Sequence, residues 1–155
     1  MAVGEGGIRS PLIVSGPDIK GDGGFNRNFS YITDIMPTML EMAKLDHPTQ
    51  FKGKDVLPMR GHSITESLNN SKKTIYSADE YVGGEMFDGR WLRKGDYKAI
   101  LVPKPFGDGQ WRLFNVVMDP GETNDLAKEK PKLLKELQQA WDQYADETGV
   151  VFPPS

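Results

Sequence analysis

The stretch Gly89-Arg90-Trp91-Leu92-Arg93-Lys94-Gly95-Asp96-Tyr97-Lys98-Ala99-Ile100-Leu101-Val102 decides the fold. Arg90 to Arg93 put successive side chains on opposite faces of a strand. Lys94-Gly95-Asp96 is a turn, and Tyr97 to Val102 runs as the next strand. Working outward, Met86–Phe87 is further strand material, with Asp88-Gly89 as a tight turn. Thr74-Ile75-Tyr76-Ser77-Ala78 is a candidate strand before it. On the other side Phe106-Gly107-Asp108-Gly109 turns the chain, and Trp111 to Val117 forms the last strand. Short strands joined by turns predict an antiparallel meander.

Asp119-Pro120-Gly121-Glu122 suits a type II turn, with Pro at the second position and Gly at the third. A final helix begins near Pro131, a residue that fits a first helical position. Leu133, Leu134, Leu137, Ala140, Trp141, Tyr144 and Ala145 make one wide apolar stripe, and Gly149 follows as a stop signal. The expected fold class is therefore α+β. It has a three- to four-stranded antiparallel sheet with a long C-terminal helix packed on one face.

The amino-terminal part reads differently. Pro11-Leu12-Ile13-Val14 is a short continuous apolar run closed by Ser15-Gly16-Pro17. Such a run matches a strand buried on both faces, as inside a parallel sheet. Asp18 to Asn28 is Gly-rich and polar, hence a loop. Tyr31 to Leu45 is the first helix, started by Thr33 or Asp34, with Pro37 near its first turn. Met36, Met39, Leu40 and Ala43 give it one apolar face, read as ordinary core packing. Asp46 to Lys73 is an irregular connection with a short helix at Ser63–Leu68. Residues 1–45 thus look like the last strand–helix unit of a larger α/β domain, 46–73 like a connection, and 74–155 like an antiparallel sheet plus helix. The alternative is that the 11–14 strand joins the antiparallel sheet.

Composition narrows the function classes. The 155 residues carry 19 Lys plus Arg against 22 Asp plus Glu, a net charge of −3. So mild a balance excludes a globally basic nucleic-acid binder. Mean hydropathy is −0.51, and 17 Gly with 11 Pro demand many turns. There is no Cys, which removes disulfides, thiolate metal sites and a thiol nucleophile together. No apolar run is long enough to span a membrane, and Met1 to Gly7 lacks the features of a signal peptide.

The residue types of catalysis are present without a catalytic spacing. Asp79-Glu80 and Asp119…Glu122…Asp125 lack the pattern of a calcium loop and read as turn and cap residues. His47 and His62 match no zinc spacing. No Ser lies in a Gly-x-Ser-x-Gly elbow, and Gly4-x-Gly6-Gly7 follows no strand. Arg90, Arg93, Lys94 and Lys98 with Trp91 and Tyr97 are explained by alternation on a sheet rather than by nucleic-acid binding. No residue is assigned a catalytic or metal-binding role.

A series of segments carries more than any one of them. Glu5-Gly6-Gly7-Ile8-Arg9-Ser10-Pro11-Leu12-Ile13-Val14 resembles the segment that follows the active-site lysine of sulfatases. Thr33-Asp34-Ile35-Met36-Pro37 resembles the next helix of that family, and Gly53-Lys54-Asp55-Val56-Leu57-Pro58-Met59-Arg60-Gly61-His62 the following link. Arg93-Lys94-Gly95-Asp96-Tyr97-Lys98 and Trp111-Arg112-Leu113-Phe114-Asn115 resemble strands of its C-terminal sheet. Asp119-Pro120-Gly121-Glu122-Thr123-Asn124-Asp125 closes the match. The signature positions are Glu5, Gly6, Gly7, Arg9, Pro11, Asp34, Pro37, Gly95, Asp96, Asp119, Pro120, Gly121 and Glu122. The Pro58-Met59-Arg60-Gly61 link and the Glu147-Thr148-Gly149-Val150-Val151 ending are most similar to bacterial arylsulfatases.

The resemblance implies a parent enzyme that hydrolyses sulfate esters with a formylglycine nucleophile and a divalent cation, usually calcium. It also implies export to a periplasm or secretion. The Cys/Ser-x-Pro-x-Arg motif that yields formylglycine is absent, since Ser15-Gly16-Pro17 continues Asp18-Ile19. The chain is therefore expected to be the C-terminal part of a sulfatase, inactive alone, whose partner is the missing N-terminal domain. Loops Glu80–Asp88 and Pro103–Gly109 would form one wall of the substrate cleft, with Glu80, Tyr81 and Phe106 as wall residues. Two alternatives stand beside this: a free-standing binding or oligomerisation module, and a related phosphate or phosphonate ester hydrolase. An uncovered strand and helix face also predict self-association as a homodimer.

Overall fold

The computed structural model describes residues 3–17, 19–20 and 24–152. Residues 18 and 21–23 of the expected Gly-rich loop lie outside the described residues. The helices are α1 (Glu5–Ile8), α2 (Ile35–Ala43), α3 (Thr65–Asn69) and α4 (Pro131–Thr148). The strands are β1 (Gln50–Phe51), β2 (Lys54–Asp55), β3 (Tyr81–Met86), β4 (Gly89–Lys94), β5 (Tyr97–Leu101) and β6 (Trp111–Asn115). The chain forms two compact units, one of residues 1–12 and 78–155, the other of residues 13–77. None of the described helices is long and apolar enough to cross a membrane.

The first unit is the expected α+β meander. Its sheet has the order β3-β4-β5-β6, every neighbour antiparallel. Leu92, Ala99 and Leu113 stand opposite one another across β4, β5 and β6 and form one buried row. Leu137, Trp141 and Ala145 of α4 close over that row. A buried side chain of this size contributes about 1.5–3 kcal/mol, which is what holds α4 on the sheet. The helix begins with Pro131 and ends where Gly149 adopts a left-handed φ of 68°. Gly has no Cβ to oppose that conformation, so the C-cap forms without strain.

The ends of the sheet depart from expectation. Thr74–Ala78 is not a strand: the Tyr76 hydroxyl is committed to Asp34, and its ring packs against Phe29 and His62. β3 begins later, at Tyr81. The β3–β4 turn centres on Phe87 and Asp88, with φ of 53° and 63°, rather than on Asp88-Gly89. Two positive φ values match the sense of strand twist that a two-residue hairpin needs. The 119–122 turn is not type II, because Gly121 lacks a positive φ and Glu122 takes the left-handed conformation instead, with φ 52°. Asp119 selects this form. Its carboxylate accepts the Thr123 and Asn124 N–H groups, both at 2.8 Å.

The second unit is built around Asp34, which is 1% exposed. Its carboxylate accepts the N–H groups of Tyr31 (2.6 Å) and His62 (2.9 Å) and the Tyr76 hydroxyl. A short 3-10 turn over Ile32–Asp34 leads into α2, with Pro37 in its first turn. Thr38 is the buried residue of α2, and its hydroxyl accepts the Ile64 N–H. The Met stripe does not pack in a core. Met36 and Met39 are 57% and 61% exposed, because the inward side of α2 is spent on the polar Asp34–Thr38 network. Residues 11–16 carry no strand, and Leu12 and Ile13 are exposed; the described residues offer that run no ladder partner.

Candidate functional site

Two features of the first unit stand out, and residues 3–9 join them. Alternation along β5 sends Ala99 toward α4, so Lys98 faces the opposite side of the sheet. There the Lys98 side chain is 1% exposed. Its Nζ donates to Glu5 Oε1 at 2.8 Å and lies 2.9 Å from Glu122 Oε1 as an ion pair. Glu122 Oε2 accepts the Glu5 backbone N–H at 2.7 Å. Arg9 Nη1 approaches Glu5 Oε2 at 3.8 Å from a half-exposed position. Arg93 sits beside this group. Burial lowers its pKa from the ordinary arginine value, opposed by the attraction of Glu5 and Asp96.

Beside this cluster Val3, 1% exposed, packs against Gly89 at the β3–β4 turn. Val3, Met86, Phe87, Gly89, Val102, Pro103 and Phe106 line a groove of about 370 Å³. The tip of the β3–β4 hairpin forms one rim and the 102–106 segment the other, with a cis Lys104–Pro105 peptide in the latter. Phe87 and Phe106 are 83% and 76% exposed. Such an apolar concavity is a usual form for a ligand site.

Of the expected wall residues, Phe106 lies on the groove. Tyr81 and Glu80 lie at the far end of β3, roughly 17 Å from Met86 at strand rise. There Tyr81 Oη donates to Glu136 Oε1 (2.8 Å), and Lys94 Nζ donates to the same oxygen (2.6 Å). These hydrogen bonds lower the Glu136 pKa and raise those of Lys94 and Tyr81. That arrangement ties β3 and β4 to α4. Phe87 falls within the loop Glu80–Asp88 expected on the wall, whereas Val3 was missed as a groove residue.

The signature positions mostly serve structure. Gly6 and Gly7 lie within α1, and the Asp96 carbonyl accepts the Val116 N–H at 2.9 Å beside Gly95. Asp119, Pro120 and Gly121 form the turn that aims Glu122 inward. Asp34 and Pro37 organise the second unit, and Pro11 is exposed. Asp125 accepts the Leu113 and Ala127 N–H groups, which ties the following turn to β6. Among the described residues, no three His, Asp or Glu side chains form a group fit to hold a metal ion. These residues therefore do not fit the implied calcium, and no step is derived through it.

The family described as N-sulphoglucosamine sulphohydrolase, C-terminal, matches residues 2–147. An uncharacterized sulfatase of Schizosaccharomyces pombe is 39% identical over 151 residues, which cover 97% of this chain and 27% of that protein. Arylsulfatase K of Mus musculus is 28% identical over 144 residues, covering 90% of this chain and 25% of that protein. The chain thus spans about a quarter of the length of these relatives. A solved 2-O GAG sulfatase superposes with a TM-score of 0.51 at 21% identity, over 79% of this chain and 27% of that one. That likeness concerns the fold. The chain belongs to the N-sulphoglucosamine sulphohydrolase C-terminal family, the C-terminal part of the sulfatases.

Proposed function

We propose that the chain serves as the C-terminal part of a sulfuric ester hydrolase and shapes one wall of its substrate cleft. The observation that carries this is the family match over residues 2–147, set against relatives about four times as long. In the whole enzyme, formylglycine and a divalent cation, calcium, would supply the nucleophile and neutralise charge on the sulfate. The part played by this chain is to bind and orient. Phe87 and Phe106 offer exposed rings at the groove. On this reading residues 13–45 complete the α/β domain, 46–73 connect, and 74–155, with residues 3–9 seated on their sheet, form the wall. The exposure of Leu12, Ile13, Met36 and Met39 supports it, because such a surface calls for cover by the remainder of the enzyme.

The test is turnover of an aryl sulfate by this chain with added calcium. No hydrolysis is expected, and hydrolysis that depends on the chain refutes the reading. Light scattering tests the cover of the apolar face. Self-association is expected, whereas a stable monomer at high concentration favours an independent module.

A further inference from the structure

An ammonium buried to the extent of Lys98 requires opposite charge at contact distance. Both counter-charges come from elsewhere in the chain: Glu5 lies 93 residues away in sequence, and Glu122 follows the Asp119 turn. Glu122 does two things at once. One oxygen faces Lys98 and the other holds the Glu5 N–H. α1 spans only four residues, with backbone bonds from Gly7 and Ile8 to Gly4 and from Arg9 to Glu5. A single helical turn does not persist on such bonds alone. Its seat on the sheet therefore depends on side-chain ties, and the Glu5–Lys98–Glu122 group provides them.

We propose that Glu5, Lys98 and Glu122 form an electrostatic latch that seats residues 3–9 on the sheet face opposite α4 and so fixes Val3 as the floor of the groove. Among the described residues, the charged groups beside the latch are Arg9, just after α1, and Arg93 from β4, which Glu5 and Asp96 attract. The core row Leu92, Ala99 and Leu113 lies on the other face and is held by α4, not by the latch. Release of the latch would leave that row intact, free residues 3–9, and remove Val3 from between the hairpin tip and the 102–106 segment. Lys98 and Glu122 are then positioning residues that act on the groove through Val3. Only the use of the groove as a cleft wall rests on the proposed function; the latch itself is a property of this chain.

Hydrogen exchange followed by NMR on the whole chain tests it without substrate, so its failure is separate from failure of the sulfatase reading. The reporters are the Glu5, Ile8 and Arg9 amides, and the controls are the ladder amides of β4, β5 and β6. In Lys98→Met, exchange of the reporters is expected to accelerate about tenfold or more relative to the controls, as local opening separates from global opening. A smaller ratio, or equal acceleration in both sets, overturns the latch. If Lys98→Met loses the helical far-UV spectrum, Glu122→Gln is read by the same ratio. Loss of the fold in both variants also overturns it, because the cluster is then inseparable from the core.

Discussion

Replacing Gly83 by Ala sets two opposed terms against each other. Removing a glycine from a strand restricts the unfolded chain and contributes about 0.4–1 kcal/mol of stability where the new side chain fits. Here it does not fit. A Cβ at Gly83 would lie 2.6 Å from Leu92 Cδ1, 3.2 Å from the Trp91 carbonyl oxygen and 3.3 Å from Tyr144 Cγ. Leu92 is 0% exposed and has no room to retreat, because α4 and β5 enclose it. Overpacking of this kind costs about 1–3 kcal/mol. The net expectation is a loss of about 1–2 kcal/mol, or about 2–8 °C in Tm for a chain of this size. Urea unfolding read by tryptophan fluorescence measures it cleanly, because Trp91, Trp111 and Trp141 all belong to the sheet–helix unit. The midpoint should fall with the slope unchanged. Gly6→Ala is the control. No heavy atom lies within 4 Å of its added Cβ and the site is helical, so it should gain about 0.5–1 kcal/mol. The account of the β3–α4 contact is refuted if Gly83→Ala is as stable as the parent chain, or if Gly6→Ala costs as much as Gly83→Ala.

Leu137→Ala should lose about 2–5 kcal/mol by the same fluorescence assay, since Leu137 is 0% exposed at the centre of the core. Asp34→Asn puts an amide donor in place of one of the two carboxylate oxygens that accept from three donors, and should cost the 13–77 unit about 1–3 kcal/mol, read from the NMR signals of Thr38 and Ile64 during denaturation. Glu136 has its pKa lowered by hydrogen bonds from Lys94 and Tyr81, so its link to β3 and β4 is complete above the ordinary glutamate range and fades as pH falls below it. Glu136→Gln should therefore be less stable than the parent near neutrality, the two curves meeting in strong acid; a constant difference down to that pH would contradict the assignment.

The elements that packing alone dictates were legible from residue order. The stripe from Leu133 to Ala145 with Gly149 behind it marks α4, and alternation marks β4, β5 and β6. β3 was obscured because Gly83 and Gly84 carry no pattern of their own; they exist to admit Leu92 and the Trp91 ring. The helix α2 was legible by its period, but not the exposure of its Met face, which depends on what surrounds it. Glu5, Lys98 and Glu122 each stood in a recognisable segment, yet their convergence was not. Pairing across such separations is set by the sheet register rather than by local preference. The two loops at the groove were legible, but Val3 was not, since Val3 and Phe106 meet only through the folded sheet.

The contact between Glu5 and Glu122, 117 residues apart, has a bearing on biosynthesis. Residues 3–9 leave the ribosome long before they can dock, because their berth is made of strands and a turn translated much later. Until then an apolar Val3 and an unpaired Glu5 must wait in solvent, and Lys98 has no reason to enter the interior. Completion of the 119–122 turn is thus the moment at which residues 3–9 are recruited. A ribosome stalled before that point should present residues 3–9 to proteases and chaperones.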